Sequence, residues 1–221
     1  MSNYRHELKF IVNRRHADIL KQRLSMIMDV DANGKNGYFI RSLYFDTMSS
    51  DAYYDKIDGV NYREKYRIRI YNLDDKFIRL EKKIKNDNMT IKEQQIISKK
   101  DCLDIINNDI EISDVDGLLK EFLIEIKTKN LMPSVIVDYD RLAFTYPISD
   151  VRITFDYNIK SGIYNYNLFD SNNDLEVLDN NTVVLEVKYN EVLPEFIDDI
   201  IRSVPTMKTA FSKFAMCRGV K

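Results

Sequence analysis

The alternation of apolar and polar residues predicts that most of this chain forms β-strands. Successive side chains of a strand point to opposite faces, so an alternating run collects its apolar residues on one face. Runs of this kind that are also rich in β-branched and aromatic residues predict eight strands. The predicted strands span residues 4–12, 38–46, 63–72, 76–85, 91–97, 134–144, 151–157 and 182–189.

Helical spacing of apolar residues is confined to segments between and after these strands. Residues 14–28 place Ala17, Leu20, Leu24 and Ile27 at helical spacing, and Asn13 precedes them as a candidate N-cap. Four or five helices are predicted in all. The others begin after Ser98, at a capping box formed by Ser113 and Asp116, with Pro194 as the first helical residue, and near Ser212.

The order of these elements favours an antiparallel arrangement. About eight strands without the continuous apolar runs of a parallel sheet predict an antiparallel sheet or barrel in an α+β protein. The chain has 221 residues and no repeat, low-complexity tract or proline-rich linker. We therefore predict a single domain that spans residues 1–221.

Charged residues on several of the predicted strands share one face. One strand places Lys65, Arg67 and Arg69 on the same face, and the next does so with Glu81 and Lys83. The opposite faces of these strands are apolar. The same separation occurs in the strands that contain Glu7 and Lys9, Arg152 and Thr154, and Glu186 and Lys188.

Two interpretations account for these charged faces. In the first, an antiparallel sheet exposes its polar face to water, which is the usual arrangement. In the second, a closed barrel turns its apolar faces outward under a coat of helices and lines its lumen with charge. The second explains why Lys and Arg dominate the polar faces although the formal net charge is −2. Such a lumen is unfavourable unless a polyanion offsets its charge.

Composition excludes several other classes of protein. The chain contains two cysteines and two histidines, which excludes a Cys-rich zinc site and fits a reducing compartment. It lacks GxxxxGK[ST], GxGxxG and GxSxG motifs. Its slightly acidic balance does not suggest nucleic acid as a partner. No signal peptide or membrane-spanning run is recognisable, so we expect a cytoplasmic protein.

The charged strands carry motifs that resemble the CYTH or triphosphate tunnel metalloenzyme superfamily. Within it, the sequence is most similar to the polyphosphate polymerase domain of the vacuolar transporter chaperone complex and its bacterial relatives. The similarity extends from residue 4 to about residue 214, and it rests on the order and spacing of many short motifs. These motifs are RHELKF, SLYFDT, YRIRIY, RLEKK, TIKEQ, VDYDRLAF, VRITFDYNI, VLEVKY and AFSKF.

The resemblance implies a tunnel-forming barrel that moves the γ-phosphoryl group of ATP onto a growing chain of inorganic polyphosphate. Residues that match the family's catalytic basic residues are Lys9, Arg67, Arg69, Lys83, Arg141 and Arg152. Residues that match its other phosphate-binding positions, or that stand in for them, are Lys92, Tyr139, Lys188, Lys208, Ser212 and Lys213. ATP and inorganic polyphosphate or triphosphate are the implied partners, and a membrane partner that receives the product is left open.

The resemblance also implies a divalent metal cofactor, Mn²⁺ or Mg²⁺. Carboxylate oxygens hold such ions and let them bridge phosphate groups. The candidate ligands are Glu186, Glu81 and Glu7, and Glu186 is the first choice for direct coordination. Glu81 and Glu7 have an equally plausible alternative role, in which they orient lysines through salt bridges.

Two departures from the family pattern bear on the function, in opposite directions. Arg5 occupies a position that is glutamate in many hydrolases of the superfamily, and this favours a polymerase-type site. Ala210 occupies a position that is lysine in the polymerase group, and Lys208 is the nearest substitute. The alternatives are a triphosphate hydrolase, acting on inorganic triphosphate or a nucleoside triphosphate, and a non-catalytic module that binds polyphosphate or nucleotide.

Overall fold

The computed structural model describes residues 6–31, 34–87, 89–109, 115–162, 165–171 and 175–220. The protein is α+β, with a large antiparallel sheet. None of the helices in the described ranges is long and apolar enough to cross a membrane. The strands are β1 (His6–Asn13), β2 (Asp29–Val30), β3 (Tyr38–Asp46), β4 (Tyr62–Tyr71), β5 (Asp74–Asn86), β6 (Met89–Ile97), β7 (Met132–Tyr146), β8 (Val151–Gly162), β9 (Leu175–Glu176), β10 (Thr182–Tyr189) and β11 (Met207–Lys208). The helices are α1 (Arg14–Leu24), α2 (Asp51–Ile57), α3 (Lys99–Asn107), α4 (Gly117–Lys129), α5 (Glu195–Arg202) and α6 (Lys213–Arg218), with a 3₁₀ turn at Pro147–Ser149.

The chain divides into two compact units. Unit 1 consists of Met1–Phe39, Tyr139–Ile159 and Glu176–Ser212. Unit 2 consists of Ile40–Asp138, Lys160–Leu175 and Lys213–Lys221. The single domain over residues 1–221 stays a prediction.

Unit 1 is built on the strand series β11-β1-β10-β8-β7, with β2 paired to β7. Alternation places Phe155 and Leu185 on the apolar side of these strands, where both are fully buried. Helices α1 and α5 cover that side with Leu20 and Ile197, which belong to the same hydrophobic cluster. The apolar faces of these strands therefore lie under helices, as the sequence predicts.

Unit 2 is built on the antiparallel series β3-β4-β5-β6. Its apolar face carries Ile68 and Leu80, which pack with Ile105 of α3 and Phe122 of α4 in one buried cluster. Among the described residues, neither this series nor that of unit 1 closes on itself. The closed barrel therefore stays a proposal, while the α+β class and the antiparallel pairing are confirmed.

All eight predicted strands are present. The pattern underestimated β8, which continues to Gly162 instead of ending at residue 157. It missed the two-residue strands β2, β9 and β11, since two residues cannot show alternation. It also missed α2, because that helix buries none of its residues and so has no apolar stripe to detect.

The helix starts are confirmed in part. Asn13 accepts a hydrogen bond from the His16 amide as the N-cap of α1, and Ser98 forms a capping box at α3. Ser113 lies outside the described residues, and Asp116 caps α4 without a side-chain hydrogen bond. Pro194 is the N-cap of α5 rather than its first helical residue.

The end of α1 differs from the prediction, whereas the start of α6 agrees with it. Helix α1 ends at Leu24 rather than at residue 28, and Ile27 beyond it is 37% exposed, so its apolar side chain does not extend the buried stripe. Helix α6 begins at Lys213, directly after Ser212, as predicted.

Candidate functional site

In unit 2, the charged face of the sheet surrounds one buried carboxylate, Glu81. Only 1% of Glu81 is exposed. The Arg67 guanidinium lies over this carboxylate, with Nε and Nη2 each 2.6 Å from Oε2. Arg69 Nη1 is 3.9 Å from the same oxygen, and Lys92 Nζ forms an ion pair with Oε1. We call Glu81, Arg67, Arg69 and Lys92 the Glu81 cluster.

Strand register places the members of the Glu81 cluster together. Arg67 lies directly opposite Glu81 in the pairing of β4 with β5. On the other side of β4, Arg67 faces Tyr44 and Arg69 faces Ser42. Both arginines donate to these partners, with Arg67 Nη1 2.8 Å from the Tyr44 hydroxyl and Arg69 Nε 2.9 Å from Ser42 Oγ. Each guanidinium is therefore held in place from two sides.

The Glu81 cluster is cationic, and its carboxylate is buried. Burial opposes ionisation of Glu81, but the charges of Arg67, Arg69 and Lys92 outweigh it and lower the pKa of that carboxyl far below its ordinary value. Within the cluster, one carboxylate thus faces three cations. The interpretation that this polar face is simply exposed to water does not hold for Glu81 and Arg69, because both are buried.

A row of three lysines crosses unit 2 and ends at Lys92 of the Glu81 cluster. Lys65 of β4 lies opposite Lys83 of β5, and Lys83 lies opposite Lys92 of β6. Like charges directly opposite each other on neighbouring strands are destabilising. The sequence predicts a phosphate-binding role for Lys83 and Lys92, whereas Lys65 was noted only as a residue on the same face.

In unit 1, a second charged face surrounds Glu186, which is 5% exposed. Lys188 Nζ is 2.7 Å from Glu186 Oε1, and Arg141 Nη2 is 3.8 Å from Oε2. The Arg141 guanidinium also binds Asp156 through both of its carboxylate oxygens, at 2.7 and 2.8 Å. We call Glu186, Lys188, Arg141 and Asp156 the Glu186 cluster. Asp156 was not predicted as a site residue, although it lies on the same face as Arg152 and Thr154.

Register in unit 1 places most of the other predicted residues on the same face as the Glu186 cluster. Lys9 lies opposite Glu186, and Glu7 lies opposite Lys188. Lys188 in turn lies opposite Arg152. Lys9 Nζ is 2.9 Å from Glu7 Oε1 and donates to the Phe211 carbonyl at 3.1 Å.

Further contacts position Arg141 and Arg152. The Tyr139 ring lies 5.1 Å from the Arg141 guanidinium carbon. Arg152 Nη2 is 2.6 Å from Asp31 and donates to the Tyr38 hydroxyl at 3.1 Å. Asp31 follows a two-residue strand, so no periodic pattern could have pointed to it.

The structure does not bring Lys208 onto this face. Lys208 lies opposite Phe10, whose side chain points to the other side of β1 from Lys9. Lys208 is also exposed. Ser212 is the last residue of unit 1 and Lys213 is the first residue of α6 in unit 2, and both are half-buried.

The carboxylates differ in how well they suit a divalent cation. Within the described ranges, no group of three or more His, Cys, Asp or Glu side chains is arranged to hold a metal ion. Glu81 has both oxygens occupied by cations, which favours the orienting role over metal ligation. Glu186 also has both oxygens close to cations, with Lys188 Nζ 2.7 Å from Oε1 and Arg141 Nη2 3.8 Å from Oε2, so its role as a metal ligand stays a prediction. Glu7 pairs with Lys9.

The family of this chain follows from comparison with known proteins. The family model described as the VTC domain matches residues 4–220, so the chain belongs to the VTC domain family, a family of CYTH-like tunnel proteins. No curated protein matches the chain.

Two solved structures illustrate the fold. A Hippeastrum protein, described as an adenylyl cyclase with a dominant triphosphatase activity, is 14% identical, with 97% of this chain and 95% of that chain covered at a TM-score of 0.55. A Bacillus halodurans protein, described as an adenylate cyclase, is 12% identical, with 90% and 88% covered at a TM-score of 0.53. At these identities the similarity shows the fold alone.

Proposed function

We propose that this protein is a polyphosphate polymerase, which transfers the γ-phosphoryl group of ATP onto a growing chain of inorganic polyphosphate. The observation that carries the proposal is the excess of cations around the buried Glu81 carboxylate, which faces Arg67, Arg69 and Lys92. A cationic site shielded from water is stabilised by a polyanion. Membership of the VTC domain family gives the polyanion a class, since the family's tunnel proteins act on triphosphates.

The arrangement of the arginines suits phosphoryl transfer. This reaction needs positioning and charge neutralisation more than a protein nucleophile. Arg67 is fixed by Glu81 and Tyr44, and Arg141 is fixed by Asp156. Guanidinium groups that are already oriented can bind phosphate oxygens bidentately without further loss of side-chain entropy.

A divalent ion, Mn²⁺ or Mg²⁺, would neutralise charge on the transferring phosphoryl group when bound. Glu186 would hold it, together with phosphate oxygens. Lys188 and Arg141 orient the Glu186 carboxylate from either side. At the proposed metal position the protein therefore contributes one oriented carboxylate, that of Glu186, with Lys188 and Arg141 beside it.

We further propose that the strands close into the family's tunnel barrel, with these charged faces turned inward. An open-ended tunnel suits a polymerase, because substrate can enter at one end while the polymer leaves at the other. The adenine base need not be read, since no motif on the charged faces addresses it.

The alternative enzyme is a triphosphatase. It would use the same basic residues to bind triphosphate and would transfer the phosphoryl group to water. The fold shared with the Hippeastrum protein supports this alternative, because a dominant triphosphatase activity is described for that protein. A non-catalytic binding module is the third candidate, and Ala210 in place of the family lysine supports it.

Incubation with ATP and Mn²⁺ separates these functions. Long polymer on a gel supports the polymerase, and free phosphate without polymer supports the triphosphatase. Binding of triphosphate by calorimetry without turnover supports the binding module. If triphosphate does not bind at all, the assignment of these charged faces to phosphate is wrong.

A further inference from the structure

Lys65 extends the line of basic residues that the family resemblance assigns to phosphate. It lies two residues before Arg67 on β4, and alternation places both side chains on the same face. Arg69 lies a further two residues along. The three basic side chains therefore form a row along one face of β4, which we call the basic ladder. Lys65 lies at one end of it, and the family resemblance assigns no role to this residue.

An aromatic pair fixes Lys65 beside Arg67. The Nζ atom of Lys65 lies 4.3 Å from the centroid of the Phe214 ring. That ring is 5.0 Å from the ring of Tyr44, whose hydroxyl accepts from Arg67 at 2.8 Å. The face of an aromatic ring attracts a cation but cannot accept a strong hydrogen bond from an ammonium group. Lys65 is thus held in position while its hydrogen-bonding capacity remains largely unused.

The groups that surround Lys65 are mainly cations. Burial is the largest influence on this residue, and it lowers the pKa of Lys65 to about 7 together with the charges of Arg63, Lys56 and Lys83. Asp46 is the acid that acts in the opposite direction. Arg63 lies on β4, Lys56 on α2 and Lys83 on β5, whereas Asp46 is the last residue of β3. Three cations and one acid therefore act on Lys65 from these four elements.

The carboxylate of Asp46 is committed to the backbone. It accepts from the amides of Thr47 and Ala52 at 2.8 and 2.9 Å and from that of Tyr53 at 3.2 Å. Helix α6 contributes the Phe214 ring, and its first residue is Lys213, a further cation. Within the described part of the chain, Lys65 forms no ion pair with a carboxylate.

We propose that Lys65 is an additional phosphate-binding residue, which binds a phosphate group beyond those held by Arg67 and Arg69 and so favours inorganic phosphate chains longer than triphosphate. This inference rests on the proposed function, because it takes the arginine pair to be a phosphate site. The anion supplies the counter-charge that no carboxylate of the described residues supplies through an ion pair with Lys65.

The length of the basic ladder supports selection of longer chains. Residues two apart on a strand are separated by about 6.7 Å, so Lys65 lies about 13 Å from Arg69 along β4. One phosphate group cannot contact both ends of the basic ladder. A longer chain of phosphates can, and each added contact is made by a side chain whose position is already fixed.

Binding at Lys65 also predicts the uptake of a proton. An anion favours the ammonium form and raises the pKa of Lys65 above about 7 in the complex. At pH 8, the free amine is mostly neutral, so the bound state takes up a proton. At pH 6, Lys65 is already mostly protonated and contributes little uptake.

The test uses Lys65→Met, which keeps an unbranched side chain of nearly the same length but removes the charge, and Lys65→Arg, which keeps the charge but does not titrate. Lys100→Met, in an exposed position of α3, is the surface-charge control. Titration calorimetry at pH 8 measures affinity for inorganic triphosphate and for a linear polyphosphate of defined longer length. Repeating it in two buffers of different ionisation enthalpy gives the number of protons taken up.

We expect Lys65→Met to lower the affinity for the longer chain roughly tenfold or more, the range for a hydrogen bond to a charged group, and to change triphosphate affinity much less. Lys65→Arg should retain the longer-chain affinity and lose the uptake that wild type shows at pH 8. Unchanged longer-chain affinity in Lys65→Met overturns the inference about Lys65 alone. If wild type binds neither ligand, both this inference and the proposed function are wrong.

Discussion

Arg141 and Asp156 form a bidentate ion pair in which Nε is 2.7 Å from Oδ1 and Nη2 is 2.8 Å from Oδ2. Asp156 is fully buried. Burial alone would lower the pKa of Arg141, but Asp156 outweighs it and holds the pKa of the guanidinium well above its ordinary value. Because Asp156 fixes one edge of Arg141, the Nη2 atom is also held near Glu186.

We expect Asp156→Asn to destabilise the protein by about 3–5 kcal/mol, the range for breaking a buried ion pair. The substitution keeps the size of the side chain but leaves the Arg141 guanidinium without its counter-charge. Denaturant unfolding followed by circular dichroism measures the change. Asp198→Asn is the matched control, because Asp198 pairs with Arg202 on α5, where the arginine side chain is 76% exposed. That variant should lose less than about 1 kcal/mol.

The strand residues of the Glu186 cluster could be predicted from sequence more readily than their partners. Alternation fixes the face of each strand residue, so it places Glu186 with Lys188 and Arg152 with Thr154 and Asp156. It does not say which strands are neighbours. The pairing of Asp156 with Arg141 required that knowledge, since 15 residues and a change of strand separate them.

Residues outside long strands gave no such signal. Asp31 binds Arg152, yet it follows a strand of only two residues. Lys208 was predicted as a substitute lysine only because it is near Ala210 in sequence. The register of β11 with β1 places Lys208 opposite Phe10 instead. Sequence spacing cannot reveal the face of a residue in so short a strand.

Glu81→Gln should destabilise the protein without ligand and increase its response to polyanion. Removing the carboxylate leaves Arg67, Arg69 and Lys92 without the counter-charge that they share in this cluster, at a cost of about 3–5 kcal/mol, the range for breaking a buried ion pair. Triphosphate can then supply that charge. Thermal unfolding with and without inorganic triphosphate should show a lower melting temperature for the free variant and a larger upward shift on binding than in wild type. An equal or smaller shift would contradict the role of Glu81 as a counter-ion.

The stability effect of Glu81→Gln should depend on pH. The pKa of Glu81 is lowered in the folded protein, so its ion pairs contribute their full stability above the unfolded pKa of about 4.3. This contribution is lost as the pH falls toward the lowered folded pKa. The stability difference between wild type and variant should therefore be constant above about pH 5 and narrow below about pH 4. Unfolding measured across this range checks the trend.

Glu186→Gln should abolish metal-dependent turnover of ATP while nucleotide binding remains detectable. The amide keeps the shape of the side chain but is a much weaker ligand for a hard cation than the carboxylate. Turnover with Mn²⁺ and Mg²⁺, followed as polymer and as free phosphate, measures the effect. Glu191→Gln is the control, since Glu191 is exposed outside the Glu186 cluster. Normal turnover in Glu186→Gln would show that Glu186 is not the metal ligand.

Both cysteines should resist thiol reagents in the folded protein. Burial raises the pKa of Cys102 and of Cys217 to about 12, so neither forms an appreciable amount of thiolate at pH 8. Cys217 Sγ also lies 3.6 Å from the Lys160 carbonyl. A chromogenic disulfide reagent should titrate neither thiol in buffer and both in denaturant. Rapid reaction of one thiol under native conditions would show local opening at that residue.

Lys213 and Lys208 offer a matched comparison near the C-terminus of the chain. Lys213 matches a family phosphate-binding position and is half-buried at the first residue of α6, whereas Lys208 is exposed and opposite Phe10. We expect Lys213→Ala to lower triphosphate affinity by about 1–3 kcal/mol, the range for a charge-assisted hydrogen bond. Lys208→Ala should leave that affinity unchanged, because its side chain lies on the other face from Lys9. Each variant removes one positive charge, so a long-range electrostatic effect would lower both affinities alike. Isothermal titration at two salt concentrations measures the difference, and equal losses in the two variants would show that neither lysine contacts phosphate directly.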